Sequence, residues 1–165
     1  SASHLGLADA GLITYRDITQ TKSRTSGNYW LSAVRPENAL LMNRVDADTR
    51  GLKDGDTVRI LSPTNVEGVW DLRHGQQKPI QGKVKVTEGI RPGIVAFSLG
   101  HGHWAYGATE VTIDGAAIPA DKQRGAGFHA NAAMRVDPHL KNVSLQDLTG
   151  GSVAFYDSKV KVVKV

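Results

Sequence analysis

Val45 to Leu61 reads V-D-A-D-T-R-G-L-K-D-G-D-T-V-R-I-L, and this stretch decides how the rest of the chain is read. Asp46 to Arg50 is a short helical turn that ends at Gly51, since glycine tolerates the left-handed conformation that closes a helix. Leu52 then drops into a core. Lys53-Asp54-Gly55-Asp56 is a tight polar turn, with a positive φ assigned to Gly55. Thr57 to Leu61 follows as a strand, Val58 and Ile60 on one face and Thr57, Arg59 and Leu61 on the other. Asp46, Asp54 and Asp56 resemble catalytic carboxylates at first sight. Their places at a helix start and in a turn assign each of them a structural task instead.

Outward from this unit, short strands follow one another. An apolar run at Asn38–Asn43 precedes it. Val69–Leu72, Ile80–Thr87 and Ile94–Ser98 come after it, with a loop at His74–Lys78 and a turn at Gly89–Gly93. Val111–Ile113 is a further short strand, Gly115–Gly127 a long loop, and Phe128–Met134 a helical turn. A closing hairpin is read from Ser152–Tyr156 and Lys159–Val165. Ser1 to Asn28 is polar and weakly periodic, an arm with one short strand at Gly11–Tyr15. The compact part is expected from residue 29 to residue 165. Many short strands, few helical turns and long loops are the pattern of a β-barrel.

The chain has 165 residues, 40% hydrophobic and 22% charged, ordinary values for a globular domain. No apolar run approaches the length of a membrane span. The chain does not start with Met and its first residues lack the layout of a signal peptide, so a processed chain or a piece of a larger one is expected. Twenty Lys and Arg against 16 Asp and Glu give a net charge of +4. That excess is scattered, which suits a small anionic ligand and argues against nucleic acid. The absence of cysteine excludes disulfides, thiolate metal sites and a cysteine nucleophile in this chain.

Two glycine-bearing loops carry the candidate chemistry. Thr21-Lys22-Ser23-Arg24-Thr25-Ser26-Gly27 gathers hydroxyls and two cations, a set that can hold phosphate or a polar heterocycle; a solvated linker is the plainer reading. Leu99-Gly100-His101-Gly102-His103-Trp104 follows an apolar strand, with glycines that let backbone approach a ligand and rings that stack on or hydrogen-bond to it. The plainer reading there is a loop capping the core. His101 and His103 alternate and so share a face, but no neighbouring acid or cysteine completes a metal site, and His129 and His139 would have to be recruited. Asn131 stands in the otherwise apolar F-H-A-N-A-A-M, capping a turn or presenting its amide to a ligand. No G-x-S-x-G elbow signals a serine-histidine-acid triad, and without a G-x-G-x-x-G or P-loop pattern a Rossmann or NTPase site is not expected.

Taken in order, N-A-L-L-M-N, D-A-x-x-x-G-L-x-D-G-D-x-V-x-I, V-x-V-T-x-x-I-R-P-G-x-V and G-H-G-x-W, then Asn131, resemble the C-terminal domain of the DMSO-reductase family of molybdenum and tungsten oxidoreductases. The resemblance covers Thr21 to Val165 and is nearest to the tetrathionate, polysulfide/thiosulfate and arsenate group. It implies a double-psi β-barrel of six strands that caps bis(molybdopterin guanine dinucleotide) without ligating the metal. By position it implies cofactor contacts from Lys22, Ser23, Arg24 and Thr25, from His101, Gly102, His103 and Trp104, and from Asn131. As partners it implies the preceding domains of the same catalytic subunit, with iron–sulfur electron-transfer and membrane anchor subunits in the full enzyme. It implies no catalytic residue here, no activity from this segment alone, and no direct contact with nucleic acid or membrane. Rival readings are a stand-alone small molybdopterin-binding subunit like that of formylmethanofuran dehydrogenase, a barrel used for protein recognition, and a zinc hydrolase built on His101 and His103.

Overall fold

A computed structural model describes residues 10–71, 77–104, 107–134, 136–137, 139–140, 143–147, 149–154, 156 and 158–165, with the side chain of Ser23 outside the description. In chain order the strands are β1 (Ala10–Tyr15), β2 (Leu40–Asn43), β3 (Thr57–Leu61), β4 (Val69–Asp71), β5 (Gln77–Pro79), β6 (Gln81–Thr87), β7 (Ile94–Ser98), β8 (Val111–Ile113), β9 (Ala116–Ile118) and β10 (Ser158–Lys164). The helices are α1 (Tyr29–Val34), α2 (Arg44–Thr49) and α3 (Ala130–Ala133), with a 3₁₀ turn at Lys22–Arg24.

Six of the strands close a double-psi barrel in the order β1-β10-β3-β6-β2-β7. β1 runs parallel to β7 and β2 parallel to β6, and the other four seams are antiparallel. Only β3 and β6 are both neighbours in the ring and successive barrel strands in the chain, so the remaining connections cross over one another. Closure leaves the barrel itself without a free sheet edge to template aggregation. The inward positions alternate as the sequence pattern requires: Leu12, Leu40, Met42, Val58, Ile60, Val84, Val95, Phe97, Val160 and Val162 are all buried.

The opening unit folds as read, shifted slightly at its start. Asn43 caps α2 by accepting from the Val45 N–H at 2.9 Å. Gly51 takes φ +63 and Gly55 φ +84. Each acid has the expected structural work. Asp46 accepts from the Gly93 N–H at 2.6 Å, Asp54 from the Val86 N–H at 2.8 Å, and Asp56 from the Lys53 N–H at 2.8 Å and the Lys164 ammonium at 2.7 Å.

Several local readings change. The polar arm contains β1, which is a full member of the ring, so the barrel begins well before residue 29. Its six residues alternate between buried and half-buried, a signal obscured by the polar residues after them. α1, at the expected start of the compact part, buries none of its residues, and Trp30 is 85% exposed. The long loop after β8 contains β9. Asp114 (φ +50) and Gly115 (φ +79) make the two-residue turn of a hairpin, and an Asp-Gly pair is the sequence signal for it. Lys78 lies in β5 rather than in a loop, while residues 72–76 fall outside the described set. β10 sits between β1 and β3 rather than in a closing hairpin, and the described Val153 bridges Gln146. No described helix is long and apolar enough to cross a membrane.

Candidate functional site

β7 delivers its last residues to one end of the barrel, and the site is built on the loop that leaves it. Gly100 takes φ +96 and lies against the 3₁₀ turn; a Cβ there would sit 3.3 Å from the Lys22 Cα and carbonyl oxygen. Lys22 itself holds φ +59, unusual for a residue with a side chain. The two loops thus touch backbone to backbone. Gly102 packs still more tightly on the segment before α3: its N–H donates to the Ala126 carbonyl at 2.9 Å, and a Cβ would come within 2.5 Å of the His129 nitrogen. Only glycine fits such an approach at φ +67.

The segment before α3 is anchored from beneath. Phe128 is fully buried, stacked on Phe97 with ring centroids 5.3 Å apart, and covers Gly82 so closely that a Cβ there would meet its ring at 2.6 Å. Asn38, 1% exposed, donates from Nδ2 to the carbonyls of Ser98 at 2.6 Å and Phe128 at 3.0 Å, and its Oδ1 accepts from the Phe128 N–H at 2.7 Å. One amide therefore fastens the end of β7 to the chain that leads into α3.

Between these loops lies a cleft of about 240 Å³ lined by Lys22, Leu99, Gly100, His101, His103, His129, Ala130 and Asn131. Residues from three distant parts of the chain meet there: Lys22, the His101–His103 loop and Asn131. Other expected site residues are elsewhere. Gly102 forms the wall behind the cleft rather than its surface. Thr25 turns inward to brace its own loop, accepting from the Thr21 N–H at 2.8 Å and donating to Gln20 Oε1 at 2.7 Å. Arg24 is exposed and does not line the cleft, and neither does the half-buried Trp104, whose carbonyl accepts from Thr109 Oγ1 at 3.4 Å.

The imidazoles of the cleft are kept neutral by burial. Desolvation lowers the pKa of His101 to about 4, with the Asp17 carboxylate pulling the other way. Burial, with help from the positive potentials of His103 and Lys78, lowers His129 to about 4 as well. His103 moves in the same direction for the same reasons, offset in part by a hydrogen bond with the Gly100 backbone. Behind His101, burial pushes the Asp17 carboxyl up, but hydrogen bonds from the Thr19 N–H and hydroxyl and the ion pair with Arg35 outweigh it, and its pKa falls. The His129 ring is fixed on two sides, tilted over Trp70 at 4.2 Å and meeting the edge of His103 at 5.1 Å.

His101 Nε2 and His129 Nδ1 are buried and have no hydrogen-bond partner among the described residues. A buried polar atom without a partner is costly, and most are satisfied by protein, water or ligand. Two neutral imidazoles, a lysine and an amide together can donate to and accept from a flat, amide-edged heterocycle and hold an attached phosphate. Among the described residues no group of three or more His, Cys, Asp or Glu is arranged to hold a metal ion.

A family model described as "Molydopterin dinucleotide binding domain" matches residues 11–147. The chain belongs to this dinucleotide-binding family. Within it, a selenate reductase subunit of Mesobacillus selenatarsenatis is 41% identical over 155 residues, covering 93% of the chain and 15% of that protein. A tetrathionate reductase subunit of Salmonella typhimurium is 31% identical over 144 residues, covering 86% and 13%. The chain thus corresponds to about one seventh of the length of these relatives. In fold it is similar to part of the acetylene hydratase of Pelobacter acetylenicus, with a TM-score of 0.60, 16% identity, and coverage of 96% of this chain and 18% of the other. Membership in the DMSO-reductase family of catalytic subunits accounts for a closed barrel that presents polar loops at one end.

Asn38 and Lys78 are the contributors that sequence reasoning did not place at the site; His129 belongs to the Gly125–Asn131 loop, which the sequence reading expects to meet the cofactor. Lys78 reaches the loops from β5, donating to the carbonyls of Gly102 at 2.9 Å, His103 at 3.4 Å and Gly125.

Proposed function

We propose that this chain is the cofactor-capping domain of a catalytic subunit that reduces an oxyanion or a sulfur compound, and that its ligand is molybdopterin guanine dinucleotide. The observation that carries the reading is a cleft lined by Lys22, Asn131 and two histidines, His101 and His129, each of which holds a buried ring nitrogen with no partner among the described residues. That chemistry suits a pterin edge flanked by phosphate. The names of the relatives, which are selenate, tetrathionate and arsenate reductase subunits, support the oxyanion class of substrate.

When bound, the dinucleotide carries the molybdenum or tungsten through which electrons reach the substrate. The residues of this chain do the holding. His101 and His129 each offer one hydrogen-bonding nitrogen, that of His129 on a ring held by Trp70 and His103. Asn131 supplies a donor and an acceptor at the cleft mouth, and Lys22 a cation for phosphate. Neutral histidines recognise the heterocycle without adding charge of their own near it. Leu99 and Ala130 supply the apolar part of the lining. The remainder of the catalytic subunit, together with iron–sulfur and membrane-anchor subunits, supplies the partners that go with this reading.

The test is binding of isolated molybdopterin guanine dinucleotide to the 165-residue chain, followed by calorimetry, with guanosine monophosphate as the comparison ligand. Saturable binding that weakens at least tenfold in both Lys22→Ala and Asn131→Ala is expected, roughly the effect of losing one charge-assisted or well-made polar contact. Binding unaffected by either change, or no preference for the dinucleotide over guanosine monophosphate, would sink the assignment of this cleft.

A further inference from the structure

The β4–β5 ribbon lies outside the barrel and forms no part of the cleft surface, yet both of its strands reach the site. β4 places Trp70 on His129. β5 places Lys78 behind the cleft wall, where its ammonium meets three backbone carbonyls: Gly102 and His103 from one loop, Gly125 from the other. Those carbonyls lie 24, 25 and 47 residues further along the chain. An ammonium has three N–H donors and no acceptor, so three carbonyls saturate it. Among the described residues no carboxylate pairs with Lys78, and burial alone lowers its pKa to about 8. The charge is therefore carried into a half-buried place for the sake of carbonyl oxygens alone. Its field reaches the cleft, since both His103 and His129 are disfavoured from protonating by it.

We infer that Lys78 is the positioning residue of the cofactor cleft: its ammonium clamps the His101–His103 loop to the Gly125–His129 segment and sets a fixed positive charge behind the histidine wall. The inference rests on the cleft being the dinucleotide site, and it assigns the β4–β5 ribbon the role of a strut that sets the spacing between the two loops. Lys78 touches no ligand in this role. It determines where His101, His103 and His129 stand, and it contributes a long-range attraction for an anionic ligand from the side that the ligand does not reach.

Hydrogen exchange on the full 165-residue chain tests the clamp without any cofactor. Lys78→Met, nearly the same in shape but without donors, is expected to speed amide exchange at residues 99–104 and 125–129 by about tenfold to a hundredfold, the range for losing hydrogen bonds made by a charged group. β2 and β7 should keep their protection. Lys78→Arg, which retains charge and donors, should restore at least part of the protection, and the histidines should protonate at higher pH in Lys78→Met than in Lys78→Arg. Wild-type NMR supplies a measurement that needs no variant: the Lys78 ammonium should exchange with water far more slowly than those of Lys85 and Lys164, which are more than half exposed. Loop exchange in Lys78→Met equal to wild type, Lys78→Arg as unprotected as Lys78→Met, or a fast-exchanging Lys78 ammonium would each overturn the clamp. Intact loop protection together with failure to bind the dinucleotide would instead overturn the assignment of the cleft and leave the clamp standing.

Discussion

Asn38→Ala is the substitution whose cost can be worked most directly from the structure. The wild-type amide satisfies the carbonyls of Ser98 and Phe128 and the Phe128 N–H, all in a place where Asn38 is 1% exposed. Alanine leaves three buried backbone groups without partners and opens a small void against Gly127, whose hypothetical Cβ would lie 2.3 Å from Asn38 Oδ1. At about 1 kcal/mol or somewhat more for each orphaned group, the loss is about 3–5 kcal/mol. That is a large part of the ~5–15 kcal/mol that holds a typical domain together. With a urea slope of about 2 kcal/mol per molar, the midpoint of unfolding followed by tryptophan fluorescence should fall by about 2 M. Asn38→Asp separates donor from acceptor. The carboxyl keeps an acceptor for the Phe128 N–H but, once ionised, points negative charge at two carbonyl oxygens. Its folded pKa should therefore rise above the unfolded value, and the variant should lose stability as pH rises from the unfolded pKa toward the folded one. A loss under about 1 kcal/mol for Asn38→Ala, less than one orphaned group should cost, or a pH-independent Asn38→Asp, would refute the idea that this one amide fastens the α3 approach to β7.

Other expectations come from the same geometry. His101 and His129 have folded pKa values of about 4, below the unfolded value, so their contribution to stability is complete above about pH 6.5 and is lost as pH falls toward 4; urea midpoints measured across that window should decline, and less steeply in His101→Gln. Gly102→Ala should cost more than about 2 kcal/mol, whereas Gly51→Ala, also at positive φ but with open space around it, should cost about 1 kcal/mol, readable by thermal unfolding of the pair. Lys22→Gly relieves a left-handed backbone and should stabilise the chain by up to about 1 kcal/mol, while calorimetry should show weaker binding of the dinucleotide; a variant in which both fall together would contradict the assignment.

Much of the barrel is readable from local pattern. Val58 and Ile60, Val84 and Val86, and the run Ile94–Ser98 advertise strands because alternation and β-branched residues act within a few positions. The turn at Lys53–Asp56 and the cap at Gly51 are equally local. The site is legible at the level of loops, through clustered glycines and rings at residues 100–104 and hydroxyls and cations at residues 21–27. It is not legible at the level of side chains. Asn38 meets its partners 60 and 90 residues away, and nothing near it in the sequence announces them. Thr25 and Arg24 share a promising loop with Lys22, yet a tight turn sends each in a different direction, and only Lys22 reaches the cleft. β1 escapes recognition as a barrel member for a related reason: its seams are to β7 and β10, more than 80 residues distant in the registers, so its own residues carry only half of the signal.

The place of β10 has a consequence for how the protein comes into being. It fills the gap between β1 and β3, so residues made early in synthesis wait with open backbone groups until residues 158–164 arrive. Seams of such long sequence separation form slowly. The ring, and with it the platform on which β7 carries its histidine loop, is therefore finished only at the end of translation of this segment. A cofactor taken up by these loops must wait for residues 158–164 to be made and seated, which makes insertion a late event in the folding of this segment and leaves the half-built sheet in need of protection until then.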